Sequence, residues 1–230
     1  MKVLYLNCNY FTGIRGGWKS YLVLGYRYVF HKKKNQQKHI QKLRKVIEDN
    51  SPDVVCLTEI RAHHLKHFQD LMPHLFGACK YHGTFWSRLP WFRKNQIALL
   101  SKEYVHTELE SFSRGMKRVF LKFTSVFGEG NFVHLALRKK QRASQIDHLR
   151  KEIHDRAFFF WDFNTLGKVE KGVCPIYQSK VDQILSYPAR KPKKSLDHCI
   201  GKMCHDVTYF DSGLSDHLAM IFRLGQAQTA

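Results

Sequence analysis

Ser51-Pro52-Asp53-Val54-Val55-Cys56-Leu57-Thr58-Glu59-Ile60 is the stretch that decides the fold. Ser51-Pro52 ends a helix expected over 35–50, whose Ile40, Leu43, Val46 and Ile47 share one face. Residues 53–60 then read as a buried strand with a carboxylate, Glu59, near its end. Upstream, residues 2–7 form a second apolar run that ends in a polar residue, Asn7. Downstream, a helix is expected over 63–72, stopped by Pro73, and the period then changes. Strands are expected at 97–101, 104–109, 117–125 and 131–137, with Gly128 and Gly130 marking a hairpin between the last two. A helix over 141–155 places Ile146, Leu149 and Ile153 on one side, and the apolar run 157–161 leads into Asp162. Short strands at 196–200, 206–210 and 218–224 follow. Strands and helices interleave without a repeat or linker, so one α/β domain over 1–230 is expected. An aromatic and aliphatic stretch at about 10–34, ending in His31-Lys32-Lys33-Lys34, reads as an insertion into it.

The 230 residues carry 38 Lys plus Arg against 19 Asp plus Glu, a formal charge of +19. Such a field attracts nucleic acid, anionic membrane surfaces or phosphorylated metabolites; the plainer reading is a basic, soluble surface. The six cysteines form no CxxC pair, and Cys8 and Cys56 sit in or beside apolar runs. A disulfide framework is therefore disfavoured, and a reduced, cytoplasmic protein is expected. The N-terminus turns polar too soon for a signal sequence, and no apolar run approaches the roughly 20 residues that span a bilayer.

Chemistry gathers at strand ends: Asn7, Glu59, Asp162 with Asn164, and Asp216 with His217, while two further strands hold His134 and Asp197. Each alone is an ordinary cap, turn or core residue. Together, oxygen donors without thiolates suit Mg²⁺ or Mn²⁺ better than zinc.

The order of these residues resembles the endonuclease/exonuclease/phosphatase (DNase I-like) superfamily over nearly the whole chain. Leu6-Asn7-Cys8-Asn9 is similar to its opening strand, and Ser51–Ile60 to its PDVVCLQE strand. Val133-His134-Leu135 matches the strand of the catalytic His, and Arg142, Gln145 and Leu149 match an R..Q...L helix. Trp161-Asp162-Phe163-Asn164 is similar to GDFN, Tyr187-Pro188 to His198 to a YP…P…LDHI segment, and Ser215-Asp216-His217 to the closing SDH.

The resemblance implies a four-layer α/β sandwich, two mixed β-sheets packed face to face with helices outside. It implies a metal held by Glu59, Asn7 and Asp216. Asp162 would orient or deprotonate water, Asn164 would donate to a phosphoryl oxygen, and His134 would face the leaving oxygen. His217 would contact phosphate, with Asp216 or Asp197 holding its tautomer. Phe112-Ser113-Arg114 resembles an element whose Arg approaches phosphate; Arg114 reads equally well as a surface residue beside Lys117 and Arg118. Two departures stand out: Asn9 where nucleases place Asp, and Trp161 where the family places Gly. Three functions follow. A nuclease suits the basic runs 138–140 and 190–194, and the aromatics Trp86, Trp91, Phe92 and Trp161 suit base stacking. A lipid head-group phosphodiesterase suits residues 18–34 at an anionic membrane surface. A degenerate member would bind polyanions without cleaving them. The chain is expected to act as a monomer.

Overall fold

Side chains alternate across each strand, and this alternation sorts the apolar residues into three packed interfaces. The computed structural model describes residues 1–14, 16, 22–28, 33–152, 157–162, 185–194, 196–201 and 203–225. The strands are β1 (Lys2–Asn7), β2 (Val54–Arg61), β3 (His74–Cys79), β4 (Asn95–Ser101), β5 (His106–Ser111), β6 (Val119–Ser125), β7 (Gly128–His134), β8 (Ala157–Asp162), β9 (Asp197–Ile200), β10 (Cys204–Phe210) and β11 (Ala219–Leu224). The helices are α1 (Lys33–Asn50), α2 (Ala62–Leu65), α3 (Pro90–Arg93) and α4 (Lys139–Leu149).

Two mixed sheets result, ordered β10-β11-β1-β2-β4-β3 and β5-β6-β7-β8-β9. In β1, Val3 and Tyr5 point into the space between the sheets, where Cys56, Leu99 and Phe222 meet Leu121, Phe132, Phe158 and Phe160. The rings of Phe132 and Phe160 stack there at 5.3 Å between centroids. Leu4 and Leu6 point the other way, against Ile40, Leu43 and Ile47 of α1. On the outer face of the second sheet, Phe120, Val133 and Phe159 pack against Ile146 and Leu149 of α4. Helix, sheet, sheet, helix is the four-layer sandwich the resemblance implies.

Strand direction places the chemistry. β1 pairs with β2 in parallel, and β7 with β8. Parallel neighbours need a crossover, supplied by α1 and α4. Asn7, Glu59, His134 and Asp162 thus all lie at or near the C-terminal ends of parallel strands. β11 runs antiparallel to β1, and β9 antiparallel to β8. Their N-terminal ends therefore reach the same rim, bringing Asp216, His217 and Asp197 with them.

Several elements differ from the sequence-based expectation. The helix expected over 63–72 is only α2 followed by a 3₁₀ turn over Lys66–Phe68, closed by Leu71 and Met72 N–H groups on the Phe68 carbonyl. β3 has no counterpart in the expectation: its residues, HLFGAC at a sheet edge, are mostly half-exposed, include Gly77 and show no apolar/polar alternation. The β6–β7 hairpin turns at Val126-Phe127, and Gly130 lies inside β7 instead. There a Cβ would stand 2.3 Å from Phe123 Cε1, so glycine is required by the close ring approach. The helix expected to 155 ends at Leu149, with a 3₁₀ turn to Glu152; Ile153 lies outside the described residues. Cys8 and Cys56 are buried free thiols, as expected. Among the described residues, no helix is long and apolar enough to cross a membrane.

Candidate active site

At the shared rim, one oxygen of Asp162 is the focus. Its Oδ2 lies 3.4 Å from Asn7 Nδ2, 3.4 Å from His134 Nε2 and 4.0 Å from His217 Nε2. His134 Nε2 is also 3.9 Å from Glu59 Oε1. On the far side, His217 Nδ1 meets Asp197 Oδ2 at 2.8 Å. Asp197 and Asp162 are directly opposed across the β8–β9 ladder. Asp197 is further fixed by the Tyr5 hydroxyl at 3.2 Å, and its backbone N–H donates to Ser186 Oγ at 3.1 Å.

Local backbone strain aims two of these groups. A one-residue register shift between Leu57 and Ile60 makes a bulge in β2, and Glu59 within it sits at φ 52°. A non-glycine residue there is uncommon and turns the carboxylate onto the rim. Directly after β1, Asn9, Tyr10 and Phe11 all have positive φ, at 42°, 51° and 57°. This left-handed turn lets the Asn9 N–H donate to Asn7 Oδ1 and the Asn9 side-chain amide to Asp216 Oδ1, both at 2.9 Å. Asn9 thus ties the end of β1 to the Ser215-Asp216-His217 turn.

The charges are set by burial and neighbours. Burial pushes the Asp162 carboxyl up, but the neighbouring imidazoles, His217 foremost, hold it well below the usual carboxylate range. Burial opposes a charge on His217, yet Asp197 and then Asp162 raise it to about 10, so it is a cation at neutral pH. Burial, then Lys117, lowers His134 to about 4, leaving it neutral. Glu59 is pushed up by burial but held down to about 2, chiefly by Lys80.

The sequence expectations therefore meet different fates. Asn7, Glu59, His134, Asp162, Asp197 and His217 come together, and Asp216 joins them through Asn9. It is Asp197 that hydrogen-bonds His217. Arg114 is exposed in the β5–β6 loop, and no hydrogen bond or ion pair among the described residues ties it to the cluster. Asn164 lies outside the described residues; the Trp161 backbone pairs with Val133 and His198 in the sheet. Two functional groups escaped the sequence reading. Lys80 Nζ stands 3.3 Å from Glu59 Oε1, and Lys117 Nζ contacts His134 Nε2. Both lysines are buried, a setting no local pattern announces. The basic run 190–194 proves to be stitched to the site. Tyr187 bridges Lys194, Ala189 N–H donates to the Asp216 carbonyl at 2.6 Å, and the Tyr187 ring lies 5.1 Å from His217.

Asp162, Asp197 and His217 place donor atoms within 4.8 Å of one another. Without a metal, Asp197 and His217 form a carboxylate–imidazole pair whose Nε2 faces Asp162, and the same three donors can take a divalent cation. Glu59, Asn7 and Asp216 also carry oxygen donors of the kind a divalent cation takes.

Residues 4–217 match the Endonuclease/Exonuclease/phosphatase family. The chain belongs to that family. Its members hydrolyse phosphoester bonds and are generally divalent-metal dependent, and the buried acidic and imidazole cluster here can hold such an ion. No curated protein matches the chain by sequence. Solved structures with this fold include a mannosyl-6-phosphatase from Bacteroides thetaiotaomicron, 12% identical over 98% of this chain and 99% of that one, with a TM-score of 0.63. The endonuclease domain of TRAS1, a telomere-specific non-LTR retrotransposon, is 13% identical over 99% of both chains, with a TM-score of 0.59. D. rerio TDP2, complexed with single-strand DNA product, is 14% identical over 98% of this chain and 99% of that one, with a TM-score of 0.57. At such identities the likeness establishes the endonuclease/exonuclease/phosphatase fold and leaves the substrate open.

Proposed function

We propose that the chain is a divalent-metal-dependent phosphodiesterase that hydrolyses nucleic acid. The observation that carries this is the meeting of Asp162 with the Asp197–His217 pair at one rim. Asp162, kept anionic despite burial, orients an attacking water and takes its proton. His217, kept cationic by Asp197, directs its Nε2 toward a phosphoryl oxygen and stabilises the charge that grows there. His134 is neutral near pH 7 and serves as a hydrogen-bond partner rather than an imidazolium acid. Asn164 would add an amide donor. Glu59, Asn7 and Asp216 would hold Mg²⁺ or Mn²⁺, which supplies neutralisation of phosphoryl charge and a more acidic water when bound. Nucleic acid is favoured over smaller esters by the basic hairpin 190–194 joined to His217, within a chain of net charge +19. Of the proteins that share the fold, the TRAS1 domain is described as an endonuclease and TDP2 as complexed with single-strand DNA product.

The test is incubation with supercoiled plasmid and with single-stranded RNA in Mg²⁺ or Mn²⁺, beside an EDTA control and the Asp162→Ala and His217→Ala variants. Metal-dependent cleavage lost in both variants is expected. Binding without cleavage at high enzyme would sink the reading and leave a polyanion-binding family member.

A second reading, a lipid head-group phosphodiesterase, is favoured by one observation. Leu22 and Val23, in the 10–34 insertion, are 73% and 69% exposed. Two neighbouring aliphatic side chains in solvent suit interfacial seating. Salt-sensitive flotation with anionic liposomes checks it.

A further inference from the structure

Lys80 is a lysine in the wrong place for an ordinary surface cation. It is 2% exposed, and its ammonium lies 3.3 Å from Glu59 Oε1. The Tyr10 ring centroid is 4.8 Å from Nζ and the Tyr81 centroid 5.2 Å, so aromatic faces enclose the charge. Its backbone is pinned too: Lys80 N–H donates to the Asn95 carbonyl at 3.2 Å, and its carbonyl accepts from Arg118 N–H at 3.0 Å. That strap joins the start of β4 to the start of β6, so the backbone holds the ammonium beside Glu59 and only the side chain can move away. Tyr10 reaches it only through the left-handed turn after β1, and Glu59 only through its bulge. Two strained segments thus converge on one ion pair, and Lys117 adds a second buried ammonium on the His134 side. Burying Lys80 costs desolvation unless its charge is matched, and Glu59 matches it.

Resting on the reading of Glu59 as a metal ligand, we propose that Lys80 is an internal competitor for the divalent cation. Its ammonium holds the carboxylate that a metal takes, and metal binds by displacing it from Glu59. The protein then keeps a folded, charge-balanced site without metal, and binds metal weakly for its donor set. Removing Lys80 leaves Glu59, a half-buried carboxylate, without its close cation, and its best remaining partner is the metal itself.

The test is a Mn²⁺ titration followed by electron paramagnetic resonance of the free ion, without substrate, on the parent, Lys80→Met and Glu59→Gln. Lys80→Met is expected to bind Mn²⁺ at least about tenfold more tightly, since a like charge has left the site. Equal or weaker binding overturns the proposal. Glu59→Gln is expected to lose the site; parent-like binding there would instead overturn the metal reading beneath it. Thermal melts of the same proteins give a second readout. Lys80→Met is expected to melt lower than the parent without metal and to gain more from Mn²⁺ than the parent does. A Lys80→Met chain that stays unfolded with Mn²⁺ present, or that gains no more than the parent, counts against the proposal.

Discussion

Asp197 Oδ2 lies 2.8 Å from His217 Nδ1, at the end of a strand that faces Asp162 directly across the ladder. The pair fixes the His217 tautomer, keeps it charged and turns Nε2 toward Asp162. Removing the carboxylate charge while keeping its shape should undo the second of these. In Asp197→Asn, the His217 pKa is expected to fall from about 10, because burial then opposes the charge with its largest counterweight gone and Asp162 the main one left. Imidazole NMR titration checks the shift. Turnover at neutral pH should drop by about 10²–10⁴-fold, the range of a single acid–base contribution.

Acid should destabilise the protein before any carboxylate titrates. His134 has a folded pKa of about 4, below its unfolded value of about 6.5. The unfolded chain therefore takes up the proton first. His134 contributes its full stability above about 6.5, and that contribution is lost as pH falls toward 4. His39 and His63, also lowered by burial, add in the same direction. His217, raised to about 10, contributes fully below about 6.5 and loses its contribution progressively as pH rises from there through 10. Urea unfolding at pH 7 and pH 5 should show the loss, and His134→Gln should reduce it.

Gln145 gives the R..Q...L helix a structural duty. Its Oε1 accepts from Ala136 N–H at 2.8 Å, and its Nε2 donates to the Lys117 carbonyl at 2.5 Å. Gln145→Ala leaves both buried backbone groups without that partner, a cost of about 1–3 kcal/mol for each. Chemical denaturation measures it. Activity should fall further than stability alone requires, since Lys117 beside His134 loses its anchor.

The hairpin over 190–194 is the candidate grip on nucleic acid. Arg190, Lys191 and Lys193 are exposed, and Lys194 is half-buried. Replacing the three exposed cations by serine should weaken single-stranded nucleic-acid binding at low salt. The slope of log affinity against log salt should become shallower by about one for each phosphate that is no longer neutralised. Fluorescence anisotropy across a salt series checks both, and an unchanged slope would remove the hairpin from the binding surface.

Much of this protein was legible in its sequence. The runs around Val54 and Phe159 announced buried strands because alternation and apolar content act locally. The order Asn7, Glu59, His134, Asp162, Asp197, Asp216 and His217 pointed to the family and to the residues that share one rim. Trp161 and Asn9 stood out as departures, though only the folded chain shows Asn9 bonded to Asp216. β3 stayed hidden because its short run after Pro73 carries Gly77 and no alternation, and its edge position leaves it half-exposed. The expected 63–72 helix failed because its turns tighten at Lys66 and end on the Phe68 carbonyl.

What the sequence determined by itself was the alternation of strands and helices, the sign of the surface charge and the identity of the acidic and imidazole groups. Only the tertiary structure decided which carboxylate serves His217, how a bulge presents Glu59, and that Lys80 and Lys117 are buried beside them. The reason is physical. A strand or a helix face is written in neighbouring residues, whereas the partner of a buried charge comes from elements distant along the chain, and a lysine looks the same in sequence whether water or Glu59 holds its charge.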